Sequence, residues 1–378
     1  MTEIVFTNAR IILSDEVVNG ALSVVGGKIT AFDQGAAKIA EDLDGDYLIP
    51  GLVELHTDHL ESHFQPRPGV EWPAHFAIIA HDAQIAAAGI TTVFDALRAG
   101  SFDPSDISAR QGEHLAAAIL MAQSKNHLRA DHFIHVRCEL PCPDTIDVLQ
   151  NTLEKGGTRL ISVMDHTPGW RQFTSMDKFK EYYLGKKLIL PEKLDGYIAE
   201  KLEMQKLYAK KNKVEILKIA RQLKIRIASH DDATIAHVEE AVGDGAVIAE
   251  FPTSAASARA AHKKGLAVLM GAPNVVRGGS HSGNISALEV AASGHLDILS
   301  SDYVPSSLLQ GAFTLAELVE SITLPKAIYY VTEGPAKAAG LDDRGVIEIG
   351  KRADLIQVSV KSGQPVLKKM WREGQRVL

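Results

Sequence analysis

The chain has 378 residues, 46% of them hydrophobic and 23% charged, with a net charge of −7 at neutral pH. That length suits one α/β barrel with a small accessory domain and is too great for a minimal fold. The acidic balance argues against a nucleic-acid or anionic-membrane surface, which needs a basic stripe to release counterions, so any anionic ligand must be held by local Arg and Lys.

The start of the chain, Met-Thr-Glu-Ile-Val-Phe-Thr-Asn, has neither a basic region nor a long apolar run. No uninterrupted apolar stretch reaches about 18 residues, so neither a secretion signal nor a membrane span is expected, and the cytoplasm is the expected location. Residues 3–46 alternate in short segments broken by Asn19-Gly20 and Gly26-Gly27, which is hairpin chemistry. The far end, from Gly345 through Asp354 and on past Val366, has the same style. The two ends are expected to pair into one small β-sandwich of residues 1–47 and 333–378, with the second domain over 48–332.

That central region alternates apolar, β-branched runs with helical patterns. The runs are 48–58, 91–96, 132–138, 159–165, 225–229, 246–251, 267–271 and 298–301. Helical periodicity lies between them at 75–88, 111–127, 144–154, 233–242, 254–264 and 286–293. Eight strands alternating with helices most simply close as a (β/α)₈ barrel, whose chemistry sits at the carboxyl ends of the strands. A doubly wound open sheet is the alternative, weakened by the lack of Gly-x-Gly-x-x-Gly after the first strand. Residues 197–223 are strongly charged and helical in period, which fits a solvated helix pair on the barrel exterior or a lid. Cys138 and Cys142 suit neither a disulfide framework nor a Cys-rich zinc site, as expected in a reducing compartment.

Metal-capable side chains recur where these runs end. His56 and Asp58, at i and i+2 of the first strand, point to the same side. Glu139 follows the third run, Asp165 and His166 the fourth, His230 the fifth and Asp302 the eighth. Any one of them fits a turn former or helix cap; acid or imidazole at five of eight exits points to a metal centre. Such a set suits a divalent metal, two ions about 3.5–4 Å apart sharing a bridging carboxylate from Glu139, or from Asp165 in its place. Imidazole with carboxylate favours zinc and leaves manganese and iron open. The loop Asn274-Val-Val-Arg277-Gly-Gly-Ser-His281-Ser-Gly-Asn284 supplies an Arg, a His and glycine-rich backbone suited to anions. Arg67, Arg98 and Arg171 each follow a strand exit within reach of phosphate, while His59 and His63 lie just beyond the first strand as supporting groups.

The strand Pro50-Gly-Leu-Val-Glu-Leu-His56-Thr-Asp58, the terminal Gly350-Lys-Arg-Ala-Asp354-Leu and the late Asp302 together resemble the amidohydrolase superfamily. That superfamily carries a His-x-His pair on its first strand, a bridging Lys or Glu, two later histidines and a final aspartate. This chain departs from it in having Asp58 where the second histidine stands. His56-Thr-Asp-His-Leu-Glu-Ser-His63-Phe-Gln-Pro-Arg67-Pro-Gly, Asp165-His-Thr-Pro-Gly-Trp-Arg171-Gln-Phe, Ser229-His-Asp-Asp232 and Ser300-Ser-Asp-Tyr-Val-Pro-Ser-Ser307 narrow the likeness to the phosphonate-metabolism M family. The resemblance implies hydrolysis of α-D-ribose 1-methylphosphonate 5-triphosphate to the 5-phosphate and pyrophosphate, in the carbon–phosphorus lyase pathway. A phosphorylated sugar phosphonate is then the small-molecule partner and a homodimer the expected assembly. In such a site Asp302 binds metal and takes the proton of water, its pKa held low by the ions, while Arg277 and His281 neutralise the leaving pyrophosphate. The alternatives are a cyclic-amide hydrolase or deaminase of the same superfamily and a scaffold that keeps the barrel without activity.

Overall fold

The computed structural model describes residues 3–33, 40–101, 107–173, 189–280 and 283–378, together with 176, 179, 180 and 184. His281 lies outside the described residues.

The amino-terminal segment folds as β1 (Glu3–Ile12), β2 (Val17–Val25), β3 (Lys28–Asp33), β4 (Glu41–Asp42) and β5 (Tyr47–Pro50). Eight parallel strands follow: β6 (Leu52–Thr57), β7 (Ile90–Ala99), β8 (Asp131–Glu139), β9 (Thr158–Met164), β10 (Arg226–His230), β11 (Ile248–Glu250), β12 (Ala267–Gly271) and β13 (Ile298–Ser300). They pair in chain order from β6 to β13, and a parallel bridge between Thr57 and Asp302 brings the last strand back to the first. The result is a (β/α)₈ barrel. Its interior is filled by residues such as Val53, Leu55, Phe94, Leu160, Ala228 and Leu269, all buried, so the open chemistry is confined to the strand ends.

The carboxyl terminus adds β14 (Leu355–Lys361), β15 (Gln364–Arg372) and β16 (Gln375–Arg376). β14 pairs antiparallel with β5, and the terminal strands form one sheet in the order β16-β15-β14-β5-β1-β2-β3, with β4 beside β1. This sheet folds on itself as a β-sandwich: Phe6 of β1 meets Trp371 of β15 edge-on at 4.7 Å between ring centroids, and both rings are fully buried.

Two boundaries lie later than the sequence suggests. Residues 48–50 pair in the terminal sheet, not in the barrel, and the crossing is made at Gly51, whose N–H donates to the Asp354 carbonyl at 2.8 Å. A Cβ there would lie 2.2 Å from Thr91 Oγ1, so only glycine passes between the two sheets. At the other end, the helix Glu333–Ala339 packs its Ala336 and Ala339 among the barrel residues, because these small side chains let it close over the strand starts. Residues 194–223 form a continuous helical run, with a π-turn at Gln205–Ala209, lying against the barrel exterior. Asn212 there donates to the carbonyls of Leu140 and Cys142 at 2.9 and 2.7 Å, anchoring it to the loop after β8. Both cysteines are buried free thiols.

Candidate metal and anion site

Strand endings place the functional side chains, and the backbone turns sharply just past them. Asp231 and Phe251, the residues after β10 and β11, and Asp302, two residues past β13, all take left-handed φ values of 50–56°. Non-glycine residues held in that region are strained, and all three line the cavity at the barrel mouth.

Three histidines gather there, and each has its Nδ1 against a carboxylate. His56 Nδ1 lies 3.0 Å from Glu250 Oε1, His166 Nδ1 lies 2.5 Å from Glu139 Oε2, and His230 Nδ1 lies 2.8 Å from Asp231 Oδ2. A carboxylate on one ring nitrogen sets the tautomer and leaves the other nitrogen to a ligand, although His166 Nε2 here lies 3.5 Å from Asp231 Oδ2. His230 Nε2 is buried with no partner among the described residues, the condition of a nitrogen waiting for one. The His56 and His230 rings are 5.6 Å apart, and those of His166 and His230 5.7 Å. Two sets of close donors share His230: His56 with Glu250, and His166 with Asp231. Imidazole nitrogens with adjacent carboxylates fit a divalent ion of the zinc, manganese or iron kind.

The local field follows from these pairs. Burial works against ionisation of Glu139, but the His166 and Arg98 charges outweigh it and hold the carboxyl at about 2. Burial likewise opposes protonation of His166, yet Glu139 and Asp231 raise it to about 9. Without an ion beside it, Asp302 is pushed up to about 7, by burial first and then by the neighbouring Asp58, with Arg137 opposing. Its backbone carbonyl accepts from Thr57 Oγ1 at 2.9 Å and Asp58 N–H at 3.3 Å, which is how barrel closure brings the two aspartates together.

The predicted site residues separate into groups. His56, Asp58, His166, His230, Asp302 and Arg277 all line one cavity of about 620 Å³ at the barrel mouth. Glu139 stands behind His166. Asp165 accepts from Thr167 N–H and from Gln205 Nε2 at 2.8 Å, so it caps a turn and ties down the long exterior helix. Arg277 extends from the last turn of the helix Ala272–Arg277, where the sequence suggested loop. Arg171 is turned inward, its Nη1 on Asp232 and its Nη2 3.2 Å from Glu240, and it braces the His230 carbonyl at 3.4 Å; its charge is already spent within the protein. Arg98 lies close enough to Glu139 to lower its pKa, and Arg67 is exposed on the turn that bridges to Val70; neither lines the cavity. His63 meets Gln84 at 3.1 Å, and His59 packs edge-on to it.

Sequence reading missed Glu250, Asp231 and Arg137. Glu250 ends the sixth strand and is fully buried, an acid at the end of an apolar run, which is the same signal that marked the others. Arg137, two residues before Glu139, lines the cavity with its Nη1 3.4 Å from Asp58 Oδ2.

Residues 204–364 match the Amidohydrolase family. Over 376 residues the chain is 45% identical to the alpha-D-ribose 1-methylphosphonate 5-triphosphate diphosphatase of Escherichia coli (strain K12), covering 99% of this chain and 100% of that protein. Its fold is shared with the 5-methylcytosine deaminase from Klebsiella pneumoniae liganded with phosphonocytosine, at 15% identity and a TM-score of 0.66, over 99% of this chain and 98% of that one. It is shared also with N-acetyl-D-glucosamine-6-phosphate deacetylase from Mycobacterium smegmatis, at 15% identity and a TM-score of 0.64, over 99% and 100% of the two chains.

Proposed function

Because the chain belongs to the family of alpha-D-ribose 1-methylphosphonate 5-triphosphate diphosphatases within the amidohydrolases, we propose that it hydrolyses this sugar triphosphate to the 5-phosphate and pyrophosphate. Full-length identity of 45%, over a cleft that sets Arg137 and Arg277 against three imidazoles, supports this function. Amidohydrolases are metal-dependent, and here His56, His166 and His230 would hold a divalent ion, zinc first and manganese or iron next, with Glu250, Glu139 and Asp231 orienting the rings. When bound, the ion supplies Lewis acidity that acidifies water and offsets charge on a phosphoryl oxygen.

The chain's own groups do the rest. Asp302, which lines the cavity, accepts the proton that the attacking water gives up. Arg277, exposed at the cavity rim, meets the outer phosphates and stabilises the charge that grows on them as the bond between the first and second phosphates breaks. His281 belongs to the same segment and is proposed to act with it. Phe251 packs on the His56 and His230 rings at 5.1 and 5.3 Å and lends the floor of the cavity an apolar wall. Phosphorus NMR of the products from the ribose 1-methylphosphonate triphosphate tests the assignment. Pyrophosphate is expected as a single released species. Stepwise orthophosphate, or ammonia from adenine with no turnover of the triphosphate, would overturn it.

A further inference from the structure

The cleft presents imidazoles and carboxylates, and Arg137 lies within the charge field of both, beside Asp58 and near His56. On the imidazole side, His56, His166 and His230 each have one nitrogen oriented by a carboxylate, and His230 Nε2 is buried without a partner among the described residues. On the other side Asp58 and Asp302 face each other across the barrel closure. Neither aspartate belongs to any set of three close metal donors among the described residues. What lies with them is the guanidinium of Arg137, 3.4 Å from Asp58 and within the charge field of Asp302, Glu61 and Glu250. A guanidinium is a permanent, planar cation with five donors, matched to carboxylate and to phosphate oxygens. Arg137 Nε is buried and unpartnered among the described residues, while the side chain lines the cavity, so its donors are not all used by the protein.

We propose that Arg137 takes the place of the second metal ion: the chain binds one divalent ion at His56, His166 and His230, and a fixed guanidinium neutralises Asp58 and presents its remaining donors to a phosphate of the substrate. This inference rests on the proposed metal-dependent hydrolysis and narrows it from two cations of metal to one of metal and one of arginine. The chemistry is coherent with the aspartate at position 58. A second imidazole there would offer a neutral nitrogen to a metal, whereas a carboxylate pairs with an arginine and keeps it in register. A second divalent ion between Asp58 and Asp302 would sit against a like charge that cannot be released by deprotonation.

Elemental analysis of the full chain, reconstituted with zinc and freed of excess by gel filtration, is the test, with zinc titration calorimetry alongside. Wild type is expected to hold one ion per chain. Arg137→Met is expected to gain a second, weaker ion, Arg137→Lys to stay at one, and Asp58→Asn to stay at one as well. Melting curves of the variants verify folding, and Arg137→Lys retains the charge if Arg137→Met does not fold. Two ions in wild type, no second ion in a folded Arg137→Met, or loss of the ion in Asp58→Asn would each overturn the inference. Pyrophosphate release by wild type is read separately. Two ions with pyrophosphate released would remove the role of Arg137 and leave the hydrolase standing, and one ion without pyrophosphate would do the reverse.

Discussion

At the scale of single residues, the site is governed by what each ring nitrogen touches. Glu250 reaches His56 at 3.0 Å and also accepts from Ser162 Oγ, whose oxygen lies 2.5 Å from His135 Nε2, so a buried chain of polar groups fixes the orientation of the His56 ring. Glu250→Gln keeps the shape but weakens the acceptor, and metal affinity should fall about ten- to a hundredfold, the usual effect of losing a carboxylate behind a ligating histidine. Zinc titration calorimetry checks this; unchanged affinity would mean that His56 is not a ligand. Arg277 acts on substrate and not on the ion. Arg277→Ala should lower kcat by roughly a hundredfold to a thousandfold, about 2.7–4 kcal/mol, by analogy with a lost oxyanion donor, with zinc content unchanged. Near-normal turnover, or loss of the metal, would remove it from the phosphate-binding role. Arg171 shows why residue type alone misleads: an arginine past a strand exit looks free in sequence, yet Asp232 and Glu240 have already claimed it.

At the scale of elements, the helix Ala74–Ala87 is joined to β7 and β8 by a buried polar layer and not by apolar contact alone. His81 Nε2 lies 2.8 Å from Asp95 Oδ1, His132 Nδ1 2.7 Å from Asp95 Oδ2, and His132 Nε2 3.3 Å from Asp82, all fully buried. Asp82 also accepts the N–H groups of Arg129 and Ala130 at 2.8 and 3.0 Å. Burial disfavours a charged His132, but Asp95 and Asp82 on its two sides raise it to about 9. The folded-state value stands above the ordinary 6.5, so the stability from this proton is complete below 6.5 and is lost as pH rises toward 9. Chemical denaturation of wild type should therefore show stability falling by roughly 3 kcal/mol across that window, at about 1.4 kcal/mol per unit of pKa. His132→Gln should be less stable at pH 6 and should lack the decline; a wild-type profile that is flat between 6.5 and 9 would show that His132 is neutral in the folded protein. None of this layer stands out in the sequence, where His81, Asp95 and His132 fall inside ordinary helix and strand patterns and only the packing of helix on sheet brings them together.

At the scale of the whole molecule, the two chain ends are one structure. β14 inserts beside β5, Gly51 hands the chain from that sheet to the barrel, and Trp371 packs on Phe6 from the opposite end of the sequence. Deleting residues 341–378 should expose the apolar faces of β1, β2 and β5 and give aggregated protein, since unpaired edges and bare sheet faces associate. A soluble, monodisperse truncation product by size-exclusion chromatography would show that the terminal sheet does not depend on its carboxyl half. Legible in the chain's local pattern are the number and order of the barrel strands, the hairpins at both ends, and the strand-exit positions of His56, Asp58, His166, His230 and Asp302. These follow from local rules: side-chain period, turn chemistry and the placement of polar groups where a buried strand meets water. Which carboxylate meets which imidazole, that Arg171 is bound up while Arg137 faces the cleft, and that Asp302 lies beside Asp58 emerge only once the chain has folded. Glu250 is 194 residues from His56, and Asp302 is 245 residues from Thr57. Such pairings depend on closure of the barrel and the register of its strands, which no local pattern encodes.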